Sequence, residues 1–316
     1  MSKLRYKDIT ISDTKMVLIS KANEIIAKYQ TDGYDLTVRQ LYYQFVARDL
    51  LPEEWADPAT GSTNNTRSYK KLGDIISDGR IAGFIDWNAI RDRTREKGSN
   101  SHWDSPTDIV GACGQQFRLD TRADQPRYIE VWVEKDALEG VIERSCRELD
   151  VSWLSCRGYV SMSTLWEASQ RFIAQERQDK ETIILHLGDH DPSGIDMTRD
   201  MRERMEMFGS SVQIRRIALN MDQVEQYDPP PNPAKETDSR FARYREEFGD
   251  ESWELDALEP QVLAQLISAH VRELRDEDKW DAQLEREEAM KATLEKAAKK
   301  MKKPARRSGN VGGEKP

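Results

Sequence analysis

Two aspartates one residue apart, Asp189 and Asp191, follow directly on an apolar run from Ile183 to Leu187. A Pro-Ser-Gly turn and a fresh helical pattern come next. The pair therefore stands at the carboxyl end of a buried strand, where open α/β sheets place their ligands. Carboxylates this close repel each other unless a cation or a proton compensates them. Hard oxygen donors with no cysteine nearby favour Mg2+ over zinc. Upstream, a second buried-looking strand, YIEVWVEK, ends in another acid, Glu134. Glu134, Asp189 and Asp191 form a candidate metal set, and the chemistry that such a set serves is phosphate chemistry. Each acid taken alone reads equally well as a helix cap or a surface group. His190, between the aspartates, points to the opposite side of an extended chain and reads as structural. Asp196 reads either as support for the acids or as a favourable charge near a helix N-terminus. Lys135 could reach a phosphate, but a solvated lysine is the plainer reading.

A different chemistry is available near the front of the chain. Thr37 and Gln40 are spaced as a capping box that opens the helix VRQLYYQFVARDLL. At 100° per residue Val38, Leu41, Tyr42, Phe45 and Val46 fall on or near one stripe, and Tyr43 projects off it with Arg39 one turn earlier. Tyr42 is thereby assigned to the core. Tyr43 is expected to be partly exposed, a candidate nucleophile. A phenol ionises near pH 10, so it needs a cation or a base, and Arg39 could stabilise the developing phenolate. The competing readings are packing for Tyr43 and a surface charge or phosphate clamp for Arg39.

These residues need elements to hold them. Residues 14–29 carry Val17, Leu18, Ile25 and Ile26 near one helical face. Residues 65–78 read as a third helix with Arg67, Lys70 and Lys71 on its N-terminal half, and RIAGFIDW after Gly79 reads as a short strand or hairpin. Three helices and a β-wing would make residues 1–97 a winged helix whose basic third helix, through Arg67, Lys70 and Lys71, approaches DNA. Residues 98–126 read as a linker. Strands at 128–134, 151–156, 182–188 and 212–219 then alternate with helices at 137–149, 163–176 and 195–207, which makes 127–275 a mostly parallel α/β sheet domain. A helix near 260–274 closes that domain. Residues 276–316 read as a charged helix and a disordered basic tail.

The 316 residues are 37% hydrophobic and 33% charged, with a net charge of −9. No window approaches the roughly 18 apolar residues of a membrane helix, and the N-terminus has no apolar signal segment. Cys113, Cys146 and Cys156 are too few and too scattered for a disulfide framework or a zinc site, so a cytoplasmic, nucleoid-associated protein is expected. The acidity is local. Residues 128–290 carry 20 Lys and Arg against 37 Asp and Glu, whereas residues 291–316 carry 9 against 2. A nearly neutral front and a basic end leave DNA binding open.

Taken together, the motifs Arg39-Gln40-Leu41-Tyr42-Tyr43, Val133-Glu134-Lys135 and Asp189-His190-Asp191-Pro192-Ser193-Gly194-Ile195 resemble those of the topoisomerase VI A-subunit family, in its shortened mini-A form. The resemblance covers roughly residues 10–275. It implies a winged helix joined to a Toprim-like domain, Tyr43 as the nucleophile, and Mg2+ held by Glu134, Asp189 and Asp191. It further implies double-stranded DNA as substrate and a homodimer in which the tyrosine of one protomer meets the metal of the other. Two features depart from the pattern. The family's Gly-Tyr-Pro-Asp element stands here as Gly158-Tyr159-Val160-Ser161. Few residues precede the first helix, where that family joins its ATPase subunit, so ATP-independent action or an unidentified ATPase partner is expected. No Walker-type loop is present. The function this implies is Mg2+-dependent double-strand cleavage and religation through a phosphotyrosyl bond, as in a type IIB topoisomerase. Two alternatives stay open: a Toprim-type nuclease acting by hydrolysis, and a non-catalytic winged-helix DNA-binding protein.

Overall fold

Three helices open the chain: α1 (Asp13–Thr31), α2 (Val38–Ala47) and α3 (Thr66–Ile81). Their apolar faces, among them Ile19, Ile25, Leu41, Phe45, Leu72 and Ile76, bury one another in a core of their own. Both halves of the Thr37–Gln40 capping box are formed at the start of α2, which fixes the helical phase of everything after it. The computed structural model describes residues 3–34, 36–90 and 100–301.

The expected β-wing is not found. Among the described residues, the segment after α3 carries a 3-10 turn (Trp87–Ala89) and a single bridge between Ile90 and Leu36, with no strand. The reason lies at Gly79. It does not break the helix but lets α3 pack closely, because a β-carbon there would meet Ile19 Cδ1 and Ile85 Cδ1 at 3.1 Å. The chain leaves the helix only at Gly83, which takes the left-handed φ of +80° that disfavours side chains.

The alternation of strand and helix predicts a parallel sheet, and one is present. β1 (Arg127–Val133), β2 (Ser152–Ser155), β3 (Glu181–Leu187) and β4 (Gln213–Ala218) lie in the order β2-β1-β3-β4, every pair parallel. Both faces are covered, as parallel sheets require. Val131, Val133, Ile183 and Leu185 share one core with side chains of α5 (Glu139–Glu148) and α10 (Pro260–Glu273). Trp132 and Ile184 share another with α6 (Met162–Glu176) and α7 (Pro192–Met207). Glu130, a charge inside β1, is satisfied by Tyr128, Trp132 and two guanidinium bonds from Arg171.

After β4, α8 (Met221–Tyr227) leads to a small antiparallel pair, β5 (Asn232–Pro233) and β6 (Glu251–Ser252), with α9 (Phe241–Phe248) between them. A 3-10 turn, Leu255–Ala257, then connects to α10. The three-helix segment and this α/β sheet belong to one compact unit, residues 3–34, 36–90 and 126–275 of those described.

The segment expected to be a linker is structured: α4 (Pro106–Gln116), capped by Ser105, pairs with α11 (Glu277–Lys300) in a second unit, described over residues 100–125 and 276–301. Within that unit, the Glu287 carboxylate accepts the Leu119 amide. The start of the expected linker before residue 100 and the expected tail beyond residue 301 lie outside the described residues. No described helix is long and apolar enough to cross a membrane.

Candidate functional site

The register of the sheet brings the acids of two motifs together. Val133 pairs with Leu187, so the residues that follow, Glu134 on β1 and Gly188-Asp189 on β3, leave the sheet side by side. The Glu134 amide donates to the Leu187 carbonyl at 2.8 Å, and the Asp189 amide donates to Glu134 Oε2 at 2.9 Å. Asp189 Oδ1 accepts the Leu255 amide at 2.8 Å. Asp191 caps α7, accepting from the Gly194 amide at 2.6 Å and the Ser193 hydroxyl at 2.9 Å. The Pro-Ser-Gly turn needs its glycine, since any β-carbon at Gly194 would overlap the Asp189 carbonyl oxygen. Burial raises the Asp189 carboxyl well above its usual range, against the pull of Lys135. Burial, followed by the charge of Asp191, also raises Glu134.

Lys135 is not solvated. Only 13% of its side chain is exposed, and its ammonium contacts Asp189 Oδ1 at 2.9 Å, Asp256 Oδ1 at 2.9 Å and Glu254. Burial alone would lower its pKa, but the three carboxylates more than offset that and hold it charged. Arg39 joins the same network from α2, donating through Nε to Asp256 Oδ2 at 2.9 Å and through a terminal nitrogen to Glu254 at 3.3 Å.

Both cations frame Tyr43. The Arg39 guanidinium lies 5.6 Å from the ring centroid and the Lys135 ammonium 6.0 Å. Arg39 also donates to the Tyr43 hydroxyl at 3.5 Å. Tyr43 is 7% exposed, not partly exposed as the helical wheel suggests, because the 254–257 turn and Lys135 cover the face that α2 leaves open. Burial raises the phenol above its usual pKa, and Asp256 and Glu254 add to that. Tyr42 is locked in place, accepting the Asn65 amide at 2.8 Å with its hydroxyl also within reach of the Thr63 and Asn65 carbonyls.

Arg216, on β4, supports the aspartate loop from behind. It donates to the carbonyls of Gly188 (2.9 Å), Asp189, Gly194 (3.0 Å) and Leu219. Burial lowers its pKa to about 10. His190 is enclosed by Tyr244, Phe248 and Trp253, with Nδ1 2.8 Å from the Tyr244 hydroxyl. Asp196 faces elsewhere, bonded to the Tyr159 hydroxyl at 2.6 Å and to Arg199 and Arg240. On α3, Arg67 and Lys70 are exposed, whereas Lys71 packs over the Trp55 ring at 5.1 Å.

A cleft of about 490 Å3 reaches Asp191 from the tyrosine motif, whereas Glu134 and Asp189 do not line it. Tyr43, Arg39, Asp191 and Glu254 all line it. Among the described residues no group of three or more His, Cys, Asp or Glu side chains is gathered to hold a metal ion. The donor chemistry nevertheless suits a hard divalent cation. Glu134, Asp189 and Asp191 each spend one oxygen on protein donors, and among the described residues Glu134 Oε1, Asp189 Oδ2 and Asp191 Oδ2 accept no hydrogen bond. Of the three, only Asp189 contacts the Lys135 ammonium.

Sequence reasoning singled out Arg39, Tyr43, Glu134, Asp189 and Asp191 but missed Glu254, Asp256 and Arg216. Their signals were the alternation Trp253-Glu254-Leu255-Asp256, a second acid pair among apolar residues, and an arginine inside an otherwise apolar strand. No protein-family model, curated protein or solved structure matches the chain.

Proposed function

We propose that the chain is a DNA strand transesterase of the type IIB topoisomerase A-subunit kind, acting on double-stranded DNA as a homodimer. One observation carries the reading: Tyr43, with Arg39 and Lys135 against its ring, opens into the same cleft as Asp191. In the reaction the Tyr43 oxygen bonds to phosphorus and the bond from phosphorus to the deoxyribose 3′ oxygen breaks. The proton lost by the phenol ends on that leaving oxygen, and the 5′ end stays on the protein. Because the phosphodiester is exchanged and not hydrolysed, reversal reseals the strand without ATP.

Each residue has a physical task. The buried phenol is protonated at rest, so its ionisation must be favoured at the moment of attack. Arg39 would do this by placing positive charge at the phenol oxygen, and Lys135 by placing it against the ring, in a poorly solvated site. Glu134, Asp189 and Asp191 would hold Mg2+, which supplies neutralisation of charge on the phosphate oxygens. Arg67 and Lys70, exposed on α3, would contact the DNA backbone.

The test uses supercoiled plasmid with Mg2+, stopped with SDS and then protease. Wild type is expected to give protein-linked breaks, and Tyr43→Phe to lower them by at least about a thousand-fold. Asp189→Ala is expected to abolish them as well. Breaks with no protein attached, equal in wild type and Tyr43→Phe, would refute the nucleophile and leave hydrolysis by a nuclease.

A further inference from the structure

The cleft is larger than the chemistry at Tyr43 requires, and most of its wall is neither acidic nor basic. Beyond the reacting groups it is lined by Asn64 and Tyr69 on one side and by Asn232, Pro233 and Lys235 on the other. Arg39 is paired with Asp256 and Glu254 and turned toward Tyr43. The remaining charges, Asp191 and Glu254 against Lys235, do not make a cationic groove. A surface that tracks a phosphate backbone is strongly positive; this one is built from amides and aromatic rings.

The tyrosines form a continuous series. Tyr43 meets Tyr42 edge to face at 5.5 Å between centroids, and Tyr42 meets Tyr69 in the same way at 5.4 Å. Tyr69, on α3, ends the series at the surface, 36% exposed. Among the described residues its hydroxyl makes no hydrogen bond. Pro233, which lines the same cleft, is exposed on β5. The Asn64 amide donates to Asn232 Oδ1 at 2.5 Å, tying the α3 side to the β5 side. Among the described residues the Asn232 side-chain nitrogen Nδ2 makes no hydrogen bond, and Lys235 acts on Glu254 only through its charge, without a contact ion pair. The wall thus offers an aromatic face, a proline face, and unused donors between them.

We propose that this cleft receives one unpaired nucleotide of the DNA strand, its base stacked on Tyr69 and its edge bonded by the Asn232 amide. The inference rests on the transesterase reading for its location beside the scissile phosphate. A volume of about 490 Å3 lies within the roughly 300–1,000 Å3 typical of sites for single small ligands and excludes a duplex. A flat, uncharged, hydrogen-bonding group matches the wall, and every base offers a face for stacking. Extruding a base costs least where it is already unpaired. The enzyme would then favour breaks beside a mismatch, a bulge or a single-stranded stretch, and Lys235 would meet the phosphate of the extruded nucleotide.

Binding of full-length protein to two fluorescently labelled DNAs tests this, at one salt concentration and with EDTA present so that no cleavage intervenes. The first is a fully paired duplex, and the second is the same duplex with one extra unpaired 2-aminopurine nucleotide. Wild type is expected to prefer the second by about ten-fold, and Tyr69→Ala to lose most of that preference while Tyr69→Phe keeps it. Asn232→Ala is expected to reduce the preference without affecting binding of the paired duplex. The 2-aminopurine fluorescence should change on binding to wild type, which keeps the test decisive even where a variant fails to fold. Equal affinities together with unchanged fluorescence would overturn the inference, whatever the plasmid assay gives. A preference that depends on Tyr69, found alongside Tyr43→Phe breaks equal to wild type, would uphold it while refuting the nucleophile.

Discussion

Lys135 follows Glu134 in the chain, yet its ammonium serves Asp189, Glu254 and Asp256. Removing one partner of a buried ionic group leaves the others uncompensated, at a cost of about 3–5 kcal/mol. The same cation faces the Tyr43 ring, so folding and the proposed chemistry would draw on one charge. The histidines have a separate effect. Burial lowers His186 to about 3 and His190 to about 4, against an unfolded value of about 6.5. Both are neutral in the folded chain at pH 5, whereas the unfolded chain binds the protons first. Stability contributed by keeping them neutral is therefore complete above about pH 6.5 and is lost as pH falls toward 4. Each histidine should cost about 1.4 kcal/mol per pH unit in that window. Urea unfolding between pH 4.5 and 6.5 measures the slope, and His186→Gln should reduce it by one proton.

Among the elements, α3 shows how one residue type can take opposite roles. Gly79 meets Ile19 and Ile85, whereas a β-carbon at Gly73 would meet only Val38 Cγ1 at 3.9 Å. Gly73→Ala is expected to stabilise by up to about 1 kcal/mol through helix propensity. Gly79→Ala should instead destabilise by about 1–2 kcal/mol, because overpacking exceeds that gain. Denaturation midpoints of the two variants check both signs. The same position explains why a β-wing is expected from the sequence and not formed: glycine read as a breaker, with its packing role invisible. The strand and helix alternation after residue 127 was legible because each strand is an apolar run ending in turn residues, and the strand-end placing of Glu134 and Asp189 came with it. α4 was not, because its partner α11 lies far along the chain. Glu254 and Asp256 were missed for a similar reason: they come from a 3-10 turn and its flank, which have no periodicity to betray them.

At the scale of the whole molecule, the resemblance implies a tyrosine that meets the metal site of its partner, whereas Tyr43 here lies against Lys135 of its own chain and shares a cleft with its own Asp191. If that placing is the working one, a mixture of Tyr43→Phe and Asp189→Ala chains should form no more protein-linked DNA than either variant alone. Recovery of about a quarter to a half of wild-type adduct in the mixture would instead require the exchange of parts between subunits. The ties that hold the helical segment to the sheet are numerous and charged: Arg39 to Asp256, Lys28 and Arg48 to Glu259, Arg144 to the carbonyls of Asp32 and Gly33. A molecule fastened in this way carries Tyr43 and the strand-end acids as one cartridge. On the transesterase proposal, a lone copy would suffice for the first incision, and pairing would decide only whether a second incision falls opposite it, turning a nick into a break.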